Sequence, residues 1–248
     1  MKRLTIGVAA AAALFGCAVA WAGSATAPAG ATWGRILVIC DGPRSAHGGG
    51  NLSEVYDPAS NRFAVKRPVM RRGRAGTTAT VITTGPNAGR VLVAGGFNDK
   101  IGPLASSELY DPATSRFSRG PNLSTDFVQH TATVIESGAR TGWVLVAGNG
   151  TADLYDPARN RIVAGPKTVH RRISHTATPI SSGPAAGKIL FAGGMDEKDT
   201  ETELYDPAAN SFGPGPPMNT GRNQHTATAI ASGNNAGKIL LAGGCCPK

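Results

Sequence analysis

Three histidines stand at equivalent places of a repeated segment, and three histidines can form a zinc site. The segment reads HTATVIESGARTGWVLVAG, HTATPISSGPAAGKILFAGG and HTATAIASGNNAGKILLAGG from His130, His175 and His225, with a looser copy from Thr77. Equivalent points of neighbouring repeats lie a whole repeat apart, whereas a Zn–N bond is about 2 Å long. We therefore expect structural histidines that bond to a neighbouring loop, and we expect no metal and no other cofactor.

The tyrosines and half of the acids belong to the same repeat. Tyr-Asp-Pro begins at Tyr56, Tyr110, Tyr155 and Tyr205, at spacings of 54, 45 and 50 residues. An acid stands two residues before each tyrosine, at Glu54, Glu108, Asp153 and Glu203. We expect the four tyrosines to pack between repeats, and we assign no catalytic residue.

Arginines outside the apolar runs are the candidates for ligand binding, because the planar guanidinium matches carboxylate and phosphate. The candidates are Arg67, Arg71, Arg72, Arg171, Arg172 and Arg222. Arg74, Arg172 and Arg222 hold one repeated position, and the alternative for that position is a structural pairing with the repeated acids. Arg74 is expected beside the histidines, near the mouth of a central channel.

The repeat predicts the elements that must position these side chains. The 33 Gly and 17 Pro fall at fixed places between short apolar runs, which indicates strands and tight turns. Each unit contains four runs, here called a, b, c and d. We predict an all-β fold, a β-propeller of four-stranded antiparallel blades with about four to five repeats. Because strands alternate in direction, the b–c and d–a loops share one face, and these loops vary in length and charge.

Three motifs carry a resemblance to a known family. Gly-Gly after an apolar strand, Tyr-Asp-Pro, and Arg-x-x-His before the next strand resemble the Kelch repeat in its bacterial form, over residues 34–244. Some propellers of this kind are copper radical oxidases, which need a metal-bound tyrosine. All four tyrosines belong to Tyr-Asp-Pro, so we expect no such activity. The chain departs from the repeat at Cys40-Asp41, Thr77, Phe127 and Asn149.

The number of strands leaves the closure of the propeller open. The chain reads b-c-d, then a-b-c-d three times, then a-b. The last a strand (225–232) can pair with the first b strand (35–39) and close a four-bladed ring. The alternatives are an incomplete piece of a larger propeller and a homodimer that completes it.

The first residues predict export. Lys2 and Arg3 precede an apolar run and an Ala-Trp-Ala cleavage pattern, so we assign 1–22 to a signal peptide, 23–33 to a linker and 34–248 to the Kelch-like domain. An alternative is cleavage before Cys17, within a lipobox-like sequence, which gives a lipid-anchored protein. A membrane is expected as a partner only in that case. A third possibility is that the segment stays uncleaved as an anchor. The protein is thus expected to be periplasmic or extracellular, and the pairing of Cys40, Cys245 and Cys246 stays open.

The charge favours an anionic partner. The net charge is +9, and Lys2 and Arg3 of the leader account for two of these charges, which leaves +7. Export argues against nucleic acid. We therefore expect a secreted binding module, not an enzyme, that binds a protein or an anionic polysaccharide through its variable loops. The alternatives are a glycan-acting, mutarotase-like enzyme and a truncated propeller without activity.

Overall fold

The computed structural model describes residues 18–22, 35–39, 50–64, 68–194 and 200–245, with only the backbone of 18–22 and of Arg35. The described chain is all-β and consists mainly of four-stranded antiparallel sheets. Its one 3-10 turn is Gly138–Arg140. None of the described residues forms a helix long and apolar enough to span a membrane.

Strands follow one another within each sheet. The first sheet contains β1 (Ala18–Ala22), β2 (Arg35–Ile39), β3 (Ser53–Asp57) and β4 (Arg62–Phe63). The second contains β5 (Thr78–Val81), β6 (Val91–Ala94), β9 (Ser107–Asp111) and β10 (Arg116–Arg119). Between β6 and β9, β7 (Phe97–Asn98) and β8 (Gly102–Pro103) form a separate two-stranded hairpin.

The later sheets repeat this order. The third contains β11 (Thr131–Val134), β12 (Val144–Gly148), β13 (Thr151–Asp156) and β14 (Arg161–Ala164). The fourth contains β15 (Thr176–Pro179), β16 (Ile189–Ala192), β17 (Thr202–Asp206) and β18 (Ser211–Pro214). A final half-sheet contains β19 (Thr226–Ala229) and β20 (Ile239–Ala242).

The strand register is the same in every complete sheet. The repeated acid lies opposite the third or fourth residue of the b strand, in the pairs Val38–Glu54, Val93–Glu108, Val146–Asp153 and Phe191–Glu203. The repeated tyrosine lies opposite the aromatic or aliphatic residue of the d strand, in the pairs Tyr56–Phe63, Tyr110–Phe117, Tyr155–Ile162 and Tyr205–Phe212. A one-residue slip would turn the buried set outward, so the repeated sequence fixes the register.

The c–d turn is closed by side chains of the Tyr-Asp-Pro motif. The carboxylate of Asp156 accepts the amide of Ala158 at 3.0 Å, and the hydroxyl of Tyr155 donates to Asn160 at 3.0 Å. Asn160 has φ 49°, in the left-handed region that Asn tolerates better than most residues. The pairs Tyr56–Asn61 and Tyr205–Asn210 repeat the bond at 2.7 and 2.9 Å.

The core consists of three apolar clusters, each between successive sheets. Tyr110 of the second sheet packs with Leu37 and Val55 of the first. Tyr155 packs with Ile82 of the second sheet, and Tyr205 packs with Ile135 of the third. These three tyrosines thus reach back to the preceding sheet, and the hydroxyls of Tyr155 and Tyr205 also tie the turn of their own sheet. The sheets therefore stack through shared side chains, as repeat architectures require.

Two features differ from the sequence expectation. Ala18–Ala22, assigned above to the leader, forms β1 and pairs with β2, which covers the inner edge that β2 would otherwise expose. The neighbours of β2 are therefore β1 and β3, and β19 pairs with β20. The pairing of the last a strand with the first b strand, one of the closures considered above, is not the pairing observed. The proposed linker 23–33 and Arg67 lie outside the described residues.

The c–d turn generates a stability prediction. Asn160→Ala removes the hydrogen bond to Tyr155 and places Ala at positive φ, so we expect a loss of about 1–2 kcal/mol in the free energy of unfolding. Ser115→Ala is the matched control, since Ser115 has φ 55° at the equivalent place. Urea titration should show Asn160→Ala to be the more destabilised of the two by about 1 kcal/mol. Equal losses would mean that the tyrosine bond contributes nothing.

Candidate functional site

The b–c and d–a loops contact one another and form one surface, here called the loop face. The side-chain amide of Asn98 in the second b–c loop donates to the carbonyl of Gly73 at 2.8 Å. The backbone amide of Asn149, in the next b–c loop, donates to the carbonyl of Arg172 at 2.8 Å. Each d–a loop is therefore held against the b–c loop of a sheet, and the loop face is a bonded surface built on the strand ends.

A buried carboxylate organises the first described d–a loop. Glu108 of β9 accepts hydrogen bonds from the backbone amides of Arg71 at 2.8 Å and Arg72 at 3.0 Å. It also forms an ion pair with Arg74 at 3.0 Å, and both side chains are almost fully buried. Arg74 donates further to the carbonyls of Gly95 at 2.7 Å and Ser106 at 2.9 Å. We call the two loop amides and the arginine, taken together, the carboxylate-binding loop.

The same arrangement recurs at the fourth sheet. Glu203 of β17 accepts the amides of Val169 at 2.6 Å and His170 at 3.1 Å. Arg172 pairs with it at 2.8 Å and donates to the carbonyl of Gly193 at 2.7 Å. In both loops the amides stand three and two residues before the arginine. The repeated spacing thus builds a receptor for one carboxylate from each of these two d–a loops.

The third sheet uses a different pair of residues for the same purpose. Its acid is Asp153, which is shorter and accepts both the amide and the hydroxyl of Ser124. Phe127 takes the place of the arginine, is buried, and packs against the ring of His130 with centroids 5.5 Å apart. Burial raises the pKa of Asp153, and the two bonds from Ser124 act against that rise. The departure at Phe127 therefore goes together with the change from Glu to Asp.

The three histidines join neighbouring inner strands. The Nε2 atoms of His130, His175 and His225 lie 2.9, 3.0 and 3.0 Å from the hydroxyls of Thr78, Thr131 and Thr176, respectively. Burial, with a smaller effect of the nearby arginine, lowers the pKa of His130 and His175 to about 3. Burial and then Arg222 lower the pKa of His225 to about 4. All three rings are therefore neutral at physiological pH and link each inner strand to the preceding one.

Metal binding finds no support in the described part of the chain. No group of three or more His, Cys, Asp or Glu side chains suited to a metal ion occurs there. Each histidine bonds to its own threonine in a different pair of sheets, and this partner lies on an inner strand, whereas a neighbouring loop was expected. Cys245 is exposed and free, whereas Cys17, Cys40 and Cys246 lie outside the described residues.

The predicted arginines fall into different environments. Arg71, Arg72 and Arg171 are exposed. Arg172, in contrast, is 1% exposed and forms an ion pair with Glu203, so its prediction as a ligand-binding residue was wrong. Arg74 is buried in the same way. Arg222 is half-buried and donates to the carbonyl of Gly243 at 3.1 Å. The structural pairing considered above is thus present for Arg74 and Arg172.

Sequence reasoning missed several groups that shape the loop face. The loop amides carry no side-chain signature, and the threonine partners of the histidines are hidden in the repeated His-Thr. Asn149 is visible as a departure from Gly-Gly. Its side-chain oxygen accepts the guanidinium of Arg171 at 2.9 Å, which holds that exposed cation in place. Its φ of 51° keeps the backbone turn that glycine makes elsewhere.

Comparison of the chain with models of protein families gives no match. Comparison with curated proteins likewise gives no match.

The buried ion pair generates a second prediction. Glu203→Gln leaves the Arg172 charge buried without a counter-charge, so we expect a loss of about 3–5 kcal/mol in the free energy of unfolding. Replacing Arg172 with Met in the same chain should restore part of that loss, because the buried charge is gone. Glu201→Gln, at a carboxylate that is 64% exposed, is the control and should cost less than about 0.5 kcal/mol. A loss as small as that of the control would contradict the assigned role of Glu203.

The neutral histidines generate a third prediction. Unfolded chain binds a proton at His175 below about pH 6.5, whereas folded chain binds it only near pH 3. Stability conferred by the neutral ring is thus present above pH 6.5 and is lost as pH falls through this window. His175→Gln should reduce the slope of unfolding free energy against pH by about 1.4 kcal/mol per unit between pH 4 and 6. Urea titrations at several pH values measure this, and an unchanged slope would contradict it.

Proposed function

We propose that the chain is an exported β-propeller of Kelch-like repeats that acts as a binding module for an anionic partner, a protein or a polysaccharide. Supporting the propeller are four successive four-stranded antiparallel sheets and apolar clusters between them. The inner strands of neighbouring sheets also contact one another. Export rests on the residues of the leader, and it places the partner outside the cytoplasm.

The proposed binding surface consists of Arg71, Arg72, Lys167 and Arg171, here called the basic loop surface. All four side chains are exposed. They stand in the first and third described d–a loops, on a face whose loops are bonded to the sheets. Variable loops on a rigid scaffold are the usual place for binding residues.

One observation carries the proposal. Glu108 holds Arg71 and Arg72 by their backbone amides, while their guanidinium groups remain exposed. The loop is therefore fixed without using its side-chain charges. The carboxylate of Glu108 is already neutralised by Arg74, so the two exposed cations keep their charge for a partner.

Acidic side chains on the same face set a limit to its charge. Asp99 and Asp126 are exposed on neighbouring loops, and Glu201 pairs with His170 at 2.9 Å. The face is thus mixed in sign around a basic centre. Such a pattern favours a partner that presents spaced anionic groups, and it predicts binding that weakens with salt.

The test replaces Arg71, Arg72 and Arg171 with Ser in one chain. We expect binding to polygalacturonate and dextran sulfate in low salt, measured by affinity electrophoresis and calorimetry, and we expect its loss in the triple variant. Each exposed charge–charge contact contributes up to about 1 kcal/mol, so three together should weaken binding by roughly 100-fold.

The matched control removes the same charge elsewhere. Arg62, Arg116 and Arg119 are exposed on the outer strands β4 and β10. Replacing these three with Ser should leave most of the binding intact. Equal losses in both triple variants would mean that net charge alone is responsible, and an absence of binding by the wild-type chain at low salt would refute the basic loop surface.

A further inference from the structure

The final half-sheet carries a third complete set of donors for a carboxylate. In the two sheets with a full carboxylate-binding loop, the donors are an arginine and the amides three and two residues before it. At the half-sheet the same positions are Arg222, Asn219 and Thr220. All three residues line a cavity of about 300 Å³. The cavity also has apolar walls from Leu190, Met218 and Leu241.

The arginine of this set is already oriented. Arg74 and Arg172 each donate Nη1 to the carbonyl of the first glycine after the b strand, at 2.7 Å in both cases. Arg222 makes the same bond to Gly243 at 3.1 Å. No described carboxylate pairs with Arg222, and no described residue accepts from the amides of Asn219 or Thr220. The donors therefore point to a site for one carboxylate.

The strand register indicates which strand position would supply the carboxylate for this site. The acid of the c strand lies opposite Val93 in the second sheet and opposite Phe191 in the fourth. Leu241 of β20 is the equivalent of these residues, and it lines the same cavity as Arg222. A strand that pairs with the outer side of β20 in the same register therefore delivers its acid into the donors. Among the described strands β20 pairs with β19 alone, so its outer edge is unpaired there.

We propose that the outer edge of β20 binds an extended peptide strand whose Glu enters the Arg222, Asn219 and Thr220 site. The partner chemistry follows from the strands already bound this way. It is an acid followed by an apolar residue and an aromatic one, as in Glu203-Leu204-Tyr205. Backbone pairing along a sheet edge supplies affinity, and the buried carboxylate supplies register.

The site differs from the basic loop surface in its residues and in its ligand. It uses none of Arg71, Arg72, Lys167 and Arg171, and it needs β pairing as well as an anion. Either proposal can therefore fail without the other. Peptide binding at the β20 site should survive in the Arg71, Arg72 and Arg171 triple variant.

The experiment uses a fluorescent peptide that copies residues 201–214 of the chain itself, which contains Glu203, Leu204 and Tyr205 in their native order. We expect saturable binding to the full chain by fluorescence anisotropy. A peptide with Gln in place of Glu203 should bind roughly 10- to 100-fold more weakly, because it loses a charge-assisted bond with Arg222. Arg222→Gln should cause a similar loss, and Arg119→Gln, an exposed arginine on β10, should cause none.

Hydrogen exchange tests the strand pairing separately from the charge. Bound peptide should slow exchange of backbone amides in Ile239–Ala242, whereas a small carboxylate bound alone should not. Arg222→Gln that fails to fold would be detected by circular dichroism, and the peptide comparison on wild-type chain would then decide. Equal affinity of the Glu and Gln peptides would overturn the proposal. Competition by acetate at the affinity of the peptide, or peptide protection confined to other strands, would also overturn it.

Discussion

The buried carboxylate on the third strand of the second, third and fourth sheets is the interaction on which the rest of the structure depends. An ionised carboxylate is costly to bury unless charge and hydrogen bonds compensate it. Glu108 and Glu203 obtain both from the preceding d–a loop, which supplies two amides and one arginine. These bonds thus join the loop that leads into a sheet to the third strand of that sheet. It fixes the loop, sets the position of the following a strand, and leaves the loop side chains free to differ.

Sequence periodicity predicts the parts of the fold that use side chains at regular spacing. The four runs per unit, the Asp-Pro turns and the pairing of the repeated arginine with an acid all follow from the pattern. The loop amides that complete the site do not, because any residue supplies an amide and its direction depends on the fold. Phe127 is an irregularity of the repeat that is explained by the contact of Asp153 with Ser124. The strand at Ala18–Ala22 was hidden for another reason, since an Ala-rich apolar run is typical of both leaders and buried strands.

The histidines have a residue type suited to metal binding, but the fold gives them a structural role. Their repeated position places each ring against the preceding inner strand, where one nitrogen lies within hydrogen-bond distance of a threonine hydroxyl and burial favours the neutral form. A metal needs several ligands at one point, whereas the stacking of sheets spreads these residues from one sheet to the next. Their bonds instead connect the inner strands in series, and this connection complements the apolar clusters further out.

Regular use of charge inside the repeat also decides which residues remain for function. Arg74 and Arg172 form buried ion pairs with the acids that their loops bind, so they are not available to a ligand. Binding specificity must therefore come from positions where the units differ. Asn149 illustrates this, because it keeps the backbone turn of a glycine and adds an oxygen that holds Arg171 at the surface. Arg222 differs in another way, since it keeps the repeated orientation without pairing with a described carboxylate. Under the strand-binding proposal, the donors that bind an acid within the inner sheets would serve recognition of a further strand at the half-sheet.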